Sequence, residues 1–173
     1  KPAVVIDIGG GSVEITLGSG REVKLAQSFK IGVIRLSERF VDEDPISSRN
    51  ERRMTKFIGA EVGPYIDEIV EAGFDRVIGT SGTILSLGVV ATAVDRGAAP
   101  AEVRNLRVGA KPLRRIRKMA GAMDLEERLR MPGQDPRRAD LMVAGAVLLD
   151  TLLRKLDADE ITLCDLALRE GVI

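Results

Sequence analysis

The sequence contains no histidine, one cysteine and few aromatic residues, which make up 3% of the chain. Without histidine, the chain cannot build a Ser-His-Asp or Cys-His catalytic centre, or a histidine-ligated metal site, from its own residues. Cys164 alone forms neither an internal disulfide nor a cysteine-cluster metal site. The scarcity of aromatic rings leaves no evident platform for a nucleobase. Chemistry must therefore come from carboxylates, hydroxyls, Lys and Arg, backbone amides or a metal held by oxygen atoms.

The chain also lacks an excess of either charge and any long apolar run. Its 26 basic and 26 acidic residues cancel, so no overall field favours nucleic acid or a membrane surface. No apolar stretch reaches the roughly 18 residues that a membrane span requires. We therefore expect neither partner, and the single cysteine fits a cytoplasmic protein. Because the chain opens on Lys1-Pro2 directly before a predicted strand, we expect it to be part of a longer protein.

Hydrophobic periodicity predicts a mixed α/β sheet with an N-terminal antiparallel meander flanked by helices. The length of 173 residues suits a single domain with a substantial core. A meander followed by alternating helices and strands is typical of this class. Residues 98–110 carry no clear signal. The predicted strands are 3–8, 12–18, 22–30, 75–79 and 160–164, and the predicted helices are 32–40, 47–72, 80–95, 112–122, 124–131, 137–156 and 166–171.

The first candidate site is the tip of the predicted N-terminal hairpin. Gly9, Gly10 and Gly11 remove every side chain there, so a ligand can approach the backbone and N–H groups can point at an anion. Asp7 and Glu14 flank the tip. Carboxylates repel phosphate, so they suit a metal ion or a water molecule beside it. The alternative is an ordinary glycine turn with two solvated acids.

The second candidate site is the loop "GTSGT" at residues 79–83, where a strand leads into a helix. Ser81 and Thr83 beside Gly82 can cap the first helical turn, and the exposed N–H groups there favour an anion. An ordinary capped helix is the alternative. Two such loops at the ends of apolar strands together indicate a phosphate-bearing ligand lying across one edge of the sheet.

Two basic features are harder to interpret. Residues 104–118 carry seven cations and no acid, which suits a polyanion but also the solvated face of a helix. Arg138 in "RRAD" is able to bind a phosphate with its guanidinium held by Asp140. The alternative is a surface ion pair at the start of a helix.

Five segments of the chain carry a family resemblance. In order they are "VVIDIGGGSVEITLG", "IGVIRLSERF", "VIGTSGTILSL", "MPGQDPRRADLMVAGAVLL" and "ITLCDLALREGVI". Together they resemble the exopolyphosphatase/guanosine pentaphosphate phosphatase (Ppx/GppA) family, which belongs to the superfamily of actin-like proteins, sugar kinases and Hsp70 ATPases. The resemblance covers nearly the whole chain, and the order of the segments is more specific than any one of them.

The resemblance implies a fold, a reaction and a set of site residues. Residues 1–173 would be the second ribonuclease H-like domain of an actin-like ATPase core, without the first domain and its water-activating glutamate. The implied reaction is hydrolysis of a terminal phosphoanhydride in inorganic polyphosphate or pppGpp. Asp7 and Glu14 would be catalytic and hold Mg²⁺ between the domains. The implied phosphate-binding residues are Gly9, Gly10, Gly11, Ser12, Lys30, Ser81, Gly82, Thr83 and Arg138.

The resemblance also implies partners and leaves alternatives. The missing first domain is a partner, and the full-length protein would form a homodimer through segments outside this chain. Polyphosphate is preferred over pppGpp because aromatic residues are scarce. We expect the isolated chain to bind phosphate without hydrolysing it. Two other readings are half of an actin-like ATP-binding kinase, which "TSGT" in place of Gly-Gly disfavours, and a non-catalytic phosphate-binding module.

The sequence departs from the family pattern at three positions. Val13 replaces a threonine, and it should face the core. Cys164 and Leu166 stand where the family carries serine and a small residue, which concerns the packing of that loop.

Overall fold

A computed structural model of the chain describes residues 1–165. The predicted helix at 166–171, Leu166 and most of the "DLALREGVI" segment lie outside the described residues. The strands are β1 (Ala3–Ile8), β2 (Val13–Ser19), β3 (Glu22–Phe29), β4 (Arg76–Thr80), β5 (Arg107–Gly109) and β6 (Glu160–Leu163). The helices are α1 (Val33–Phe40), α2 (Ser48–Ala72), α3 (Gly82–Arg96), α4 (Ala110–Ala122), α5 (Leu125–Leu129) and α6 (Met142–Lys155).

The strands form one mixed sheet in the order β3-β2-β1-β4-β6-β5. The predicted meander is present, because β1, β2 and β3 pair antiparallel through the turns at residues 9–12 and 20–21. β4 pairs parallel with β1, and β6 pairs parallel with β4. The strand β5 was not predicted. It has only three residues and pairs antiparallel with β6, and so short an edge strand gives too little alternation to recognise.

Alternation along the strands separates the two faces of the sheet. The core face carries Val4, Ile6 and Ile8 of β1, all at most 1% exposed. The opposite face of β1 carries Val5 and Asp7, which are half-buried. The period-2 pattern therefore buries one face under the helices and leaves the polar side chains near the end of β1 on the other face.

The helix α6 is the centre of the helical layer. Every residue from Met142 to Leu153 is buried, because α6 packs against α1, α2, α3 and α4. A helix that is apolar all round needs neighbours on all sides. The predicted start at Arg137 was wrong. Residues Pro136–Arg138 form a single 3₁₀ turn, and the helix begins at Met142.

Two partly buried ion-pair clusters hold the helical layer together. Asp150 on α6, 2% exposed, accepts hydrogen bonds from Arg114 and Arg117, and Arg117 also binds Glu51 on α2 at 2.8 Å. Elsewhere, the Arg128 guanidinium donates to Asp44 at 2.7 and 3.0 Å. Among residues 1–165, no helix combines the length and apolarity needed to cross a membrane.

Candidate active site

The predicted site residues gather at one edge of the sheet. β1 and β4 are parallel, and β1, β2 and β3 alternate in direction. The turn at residues 9–12, the loop at residues 80–83 and Lys30 after β3 therefore lie at the same edge. Ligands of open α/β sheets bind at this carboxyl edge. The topology thus brings together both glycine loops that the sequence indicated.

The hairpin tip is anchored to the start of α1 through its carbonyl groups. The N–H groups of Val33 and Ile34 donate to the carbonyls of Gly9 and Gly10, each at 3.0 Å. The Nε of Arg35 donates to the carbonyl of Gly11 at 3.0 Å. Three successive carbonyls therefore point toward α1. Sequence analysis missed Arg35, although it lies in the segment "IGVIRLSERF" that carries the resemblance.

This anchoring fixes the direction of the next three N–H groups. In a planar trans peptide, the C=O of one residue and the N–H of the next point in opposite directions. The N–H groups of Gly10, Gly11 and Ser12 consequently point away from α1, and no hydrogen bond within residues 1–165 uses them. Successive unpaired N–H groups on one side of a turn form an anion-binding concavity.

The glycines of the tip differ in what they contact. A Cβ at Gly10 would meet the Cδ1 of Ile34 at 2.8 Å, but this is the end of an exposed side chain that can move aside. At Gly11, the nearest atom is the Nε of Arg35 at 3.9 Å, so a side chain would find space. Packing within the described chain does not explain Gly11, and its lack of a side chain keeps the outer side of the tip open.

Asp7 and Glu14 form a cross-strand pair beside the tip. They are opposite each other in the β1–β2 register, which places their side chains on one face of the sheet. Glu14 accepts hydrogen bonds from the hydroxyls of Ser12 and Ser28 at 2.6 and 2.8 Å. Burial, and then the charge of Glu14, raise the pKa of Asp7 above its ordinary value. A cation between the two carboxylates would relieve this repulsion.

The donor set around this pair fits magnesium. Within residues 1–165, no group of three or more His, Cys, Asp or Glu residues is placed to hold a metal ion. Mg²⁺ is commonly held by one or two carboxylates, with water and substrate phosphates completing its shell. Asp7, Glu14 and the neighbouring hydroxyls match that pattern, so these residues are suited to Mg²⁺ in the presence of a phosphate ligand.

The second loop has strained backbone at Ser81. Its φ of 90° and ψ of 153° lie in a region that favours glycine, at a cost of about 1–3 kcal/mol. Ser81 occupies the N-cap position of α3, but its side chain makes no capping bond, and its buried hydroxyl has no partner among the described residues. The expected cap is therefore absent, and strain of this kind is typical of ligand-binding loops.

Arg138 lies directly over Gly82 at the start of α3. A side chain at Gly82 would overlap the guanidinium of Arg138. The two residues, which are far apart in sequence, thus meet beside a cavity of about 220 Å³ that Thr83, Ser86 and Arg137 also line. The expectation that Asp140 would hold Arg138 was wrong. Arg138 approaches Asp135 at 3.8 Å, because the 3₁₀ turn brings the residue three positions earlier alongside it.

Most cations of the basic run at residues 104–118 form ion pairs with carboxylates of the same chain. Arg104 pairs with Asp165 and Arg107 with Glu160, while Arg114 and Arg117 bind the buried Asp150. Four of its seven cations therefore have carboxylate partners, and the run does not form one continuous track for a polyanion.

Comparisons with known proteins agree on one family. The model described as "Ppx/GppA phosphatase family" matches residues 1–173. Exopolyphosphatase 1 of Mycobacterium tuberculosis is 32% identical over 97% of this chain and 48% of its own length. The guanosine-5'-triphosphate,3'-diphosphate pyrophosphatase of Vibrio parahaemolyticus is 29% identical over 98% of this chain and 33% of its own length. The chain thus spans about half or less of these relatives.

Solved structures of Ppx/GppA proteins share the fold of this chain, which again covers about half of each of them. An exopolyphosphatase from Cytophaga hutchinsonii superposes with a TM-score of 0.86 and 30% identity, over 99% of this chain and 55% of that one. The Aquifex aeolicus PPX-GPPA enzyme gives a TM-score of 0.84 and 26% identity, over 99% and 56%. These neighbours confirm the predicted fold class, a mixed α/β domain of the actin-like type.

Proposed function

The chain belongs to the Ppx/GppA phosphatase family, and on that premise we propose that it forms one wall of an active site for phosphoanhydride hydrolysis. The substrate is inorganic polyphosphate or pppGpp, from which water releases the terminal phosphate. The observation that carries the proposal is the anchored hairpin tip. Its N–H groups at Gly10, Gly11 and Ser12 face away from α1 without partners among the described residues.

Each group at the edge has a distinct task in this reaction. The tip N–H groups bind oxygens of the terminal phosphate, which places its phosphorus for attack by water. Arg138 and the first N–H groups of α3 bind phosphate from the opposite side. When bound, Mg²⁺ supplies positive charge that neutralises the phosphate oxygens. Phosphoryl transfer depends mainly on such positioning and neutralisation.

Asp7 and Glu14 would hold Mg²⁺ and orient the attacking water. Burial and the charge of Glu14 raise the pKa of Asp7, and a cation bound beside the pair would favour its ionised form. The hydroxyls of Ser12 and Ser28 donate to Glu14 and hold its carboxylate in place. The resemblance assigns the principal base to a glutamate of a preceding domain, and we therefore expect this chain alone to bind phosphate but to release none.

Polyphosphate is the preferred substrate for a physical reason. Recognition of the guanosine in pppGpp would call for a stacking surface, and aromatic residues make up only 3% of the sequence. The features that the edge does offer, which are N–H groups, hydroxyls and arginine, suit a chain of phosphates. A cytoplasmic location and a homodimer of the full-length protein remain part of this proposal.

Gly11→Val tests the tip directly. A Cβ added at Gly11 would meet no atom of the described residues closer than 3.9 Å. The new side chain should therefore leave folding intact and obstruct only the ligand. Calorimetric titration with long-chain polyphosphate should show binding weakened at least about tenfold, or about 1.4 kcal/mol. Gly121→Ala in the last turn of α4, whose nearest neighbours are Glu51 and Ile46 and not the hairpin tip, serves as control. Equal affinities for Gly11→Val and the control would reject the proposed cradle.

A phosphate-release assay tests the expected inactivity of the isolated chain. The chain is incubated with polyphosphate, pppGpp or ATP, with and without Mg²⁺, beside a full-length family member. We expect release only from the full-length enzyme. Magnesium-dependent release by the chain alone would show that the whole catalytic apparatus resides in these residues.

A further inference from the structure

A basic groove lies between α2 and α6 in the helical layer. It encloses about 470 Å³, and three cations line it, Lys56 of α2 and Arg154 and Lys155 of α6. Its described lining holds no carboxylate, and the remaining residues are Thr55, Gly59 and Thr151. Sequence analysis assigned no role to any of these residues.

The groove is remote from the candidate active site. The helix α6 begins at Met142, which lines the cavity beside Thr83. At 1.5 Å per residue, Lys155 in the last turn of this helix lies about 20 Å further along its axis. An anion of one or two phosphate groups therefore cannot contact both the groove and the loop at residues 80–83.

The charges of the groove are not neutralised within the described chain. None of its three cations forms an ion pair with a carboxylate of residues 1–165. Asp150, one turn before Arg154, already accepts hydrogen bonds from Arg114 and Arg117, and Arg117 also holds Glu51. The groove thus concentrates three positive charges in a chain that has no net charge.

Two glycines inside α2 seat the side chain of Lys155. A Cβ at Gly59 would lie 3.1 Å from the Cε of Lys155, and a Cβ at Gly63 would lie 3.6 Å from its Nζ. Outside α2, no other atom of residues 1–165 would come within 4 Å of either Cβ. Glycine weakens a helix interior relative to alanine, and core packing does not account for these two. Their lack of side chains lets Lys155 lie against α2 and holds its ammonium in the groove.

The macrodipole of α6 accounts for only part of this pattern. Cations in the last turn of a helix are stabilised by its negative end, and Arg154 and Lys155 occupy that turn. The ammonium of Lys155, however, lies by Gly63 of α2, and Lys56 stands at neither end of its helix. Like charges in one groove repel one another, and a bound anion would offset that repulsion.

We propose that this groove is a second anion site, separate from the hairpin tip, in which Lys56, Arg154 and Lys155 bind a small phosphate-bearing anion such as inorganic pyrophosphate. The guanidinium of an arginine pairs with two phosphate oxygens, and the ammonium of a lysine binds them as a point charge. The inference does not rest on the proposed function, because none of these residues lies at the catalytic edge. The chain then carries two phosphate sites that can be occupied at the same time.

Titration with pyrophosphate, followed by ¹H–¹⁵N NMR of the chain, reports the two sites separately. The amides of Gly59 and Gly63 report the groove, and those of Gly10 and Gly11 report the tip. We expect pyrophosphate to shift both pairs. Potassium chloride at equal ionic strength screens charge without filling a phosphate site, and it should shift neither pair.

Lys56→Gln combined with Arg154→Gln is the test variant. Both side chains are exposed, so the fold should be kept. The affinity measured at the groove amides should fall roughly tenfold, while the shifts at the tip should not change. Arg21→Gln combined with Lys24→Gln makes the same change in charge at exposed positions outside the groove, and it should match the unaltered chain. Thermal melting verifies that both double variants are folded.

The outcomes separate this site from the proposed function. If pyrophosphate shifts the tip amides but not those of Gly59 and Gly63, the groove is not an anion site and the tip is unaffected. Equal shifts of the groove amides with potassium chloride, or equal affinities of the two double variants, also overturn the groove. If the groove amides shift and the tip amides do not, the groove stands and the proposed cradle loses its support.

Discussion

Replacing Gly32 by alanine should separate the hairpin tip from α1. Gly32 is the N-cap residue of α1, and its φ of −63° is accessible to alanine. The obstacle is space, since the added Cβ would overlap the backbone of Gly10 and Gly11. Backbone atoms cannot rotate aside as a side chain can. The tip has to move away from the helix as a unit.

The magnitude follows from the contacts that are lost. Separation breaks the hydrogen bonds from Val33 to Gly9 and from Ile34 to Gly10, each with a net value of about 0.5–1.5 kcal/mol. Overpacking adds about 1–3 kcal/mol. The free energy of unfolding should therefore fall by about 2–6 kcal/mol, a large part of the total of about 5–15 kcal/mol for a typical domain.

Urea unfolding followed by circular dichroism measures this change, and titration with polyphosphate measures its effect on binding. Gly121→Ala is the matched control. Gly121 lies in the last turn of α4, and its Cβ would meet no atom closer than 3.7 Å, so stability should change by less than about 1 kcal/mol. If Gly32→Ala unfolds at the same urea concentration as the unaltered chain and binds polyphosphate equally well, the anchoring argument is wrong.

Three further predictions follow from the contacts described above. Folded Asp7 keeps its proton to a higher pH than the unfolded chain, so the free energy of unfolding should decrease as pH rises from about 3.8 through its raised pKa. Asp7→Asn should lack this decrease, and parallel pH profiles in urea unfolding would contradict the assignment. Arg128→Met should cost about 3–5 kcal/mol because it removes the buried guanidinium shared by Asp44 and the carbonyls of Ala139 and Met123, while Asp44 keeps only the Leu125 N–H. The double variant with Asp44→Asn should cost less than the sum of the single changes, whereas additive losses would show that the pair is not coupled. Gly82→Ala should displace Arg138 and weaken polyphosphate binding in titration, and adding Arg138→Ala should weaken it no further; a second, independent loss would argue against a shared role.

The sequence predicted the sheet well because its strands are regular. Alternation at residues 12–18 and the apolar run at residues 3–8 are strong period-2 and buried-strand signals, and the structure has both strands within a residue of these bounds. Hydrophobic periodicity failed to predict two features that depend on contacts with the rest of the fold. The strand Arg107–Gly109 exists only through pairing with β6, and the late start of α6 depends on a turn that Asp135 caps.

The sequence predicted which residues form the candidate site, but not how their backbone groups are oriented. The sequence indicated glycines at residues 9–11 and a hydroxyl-rich loop, and the structure places both at one edge. It could not show which side of each peptide faces α1, because that depends on hydrogen bonds from Val33 and Ile34 across more than twenty residues.

The bonds between α1 and the hairpin tip have an electrostatic consequence. The first N–H groups of a helix carry the positive end of its macrodipole. In this chain those of Val33 and Ile34 are hydrogen-bonded to the tip carbonyls instead of to an anion. Hydrogen bonds in series polarise one another, so each tip peptide passes part of that positive potential to the N–H group on its outer side. If the tip binds phosphate as proposed, the field of α1 would act on a ligand that the helix itself does not contact.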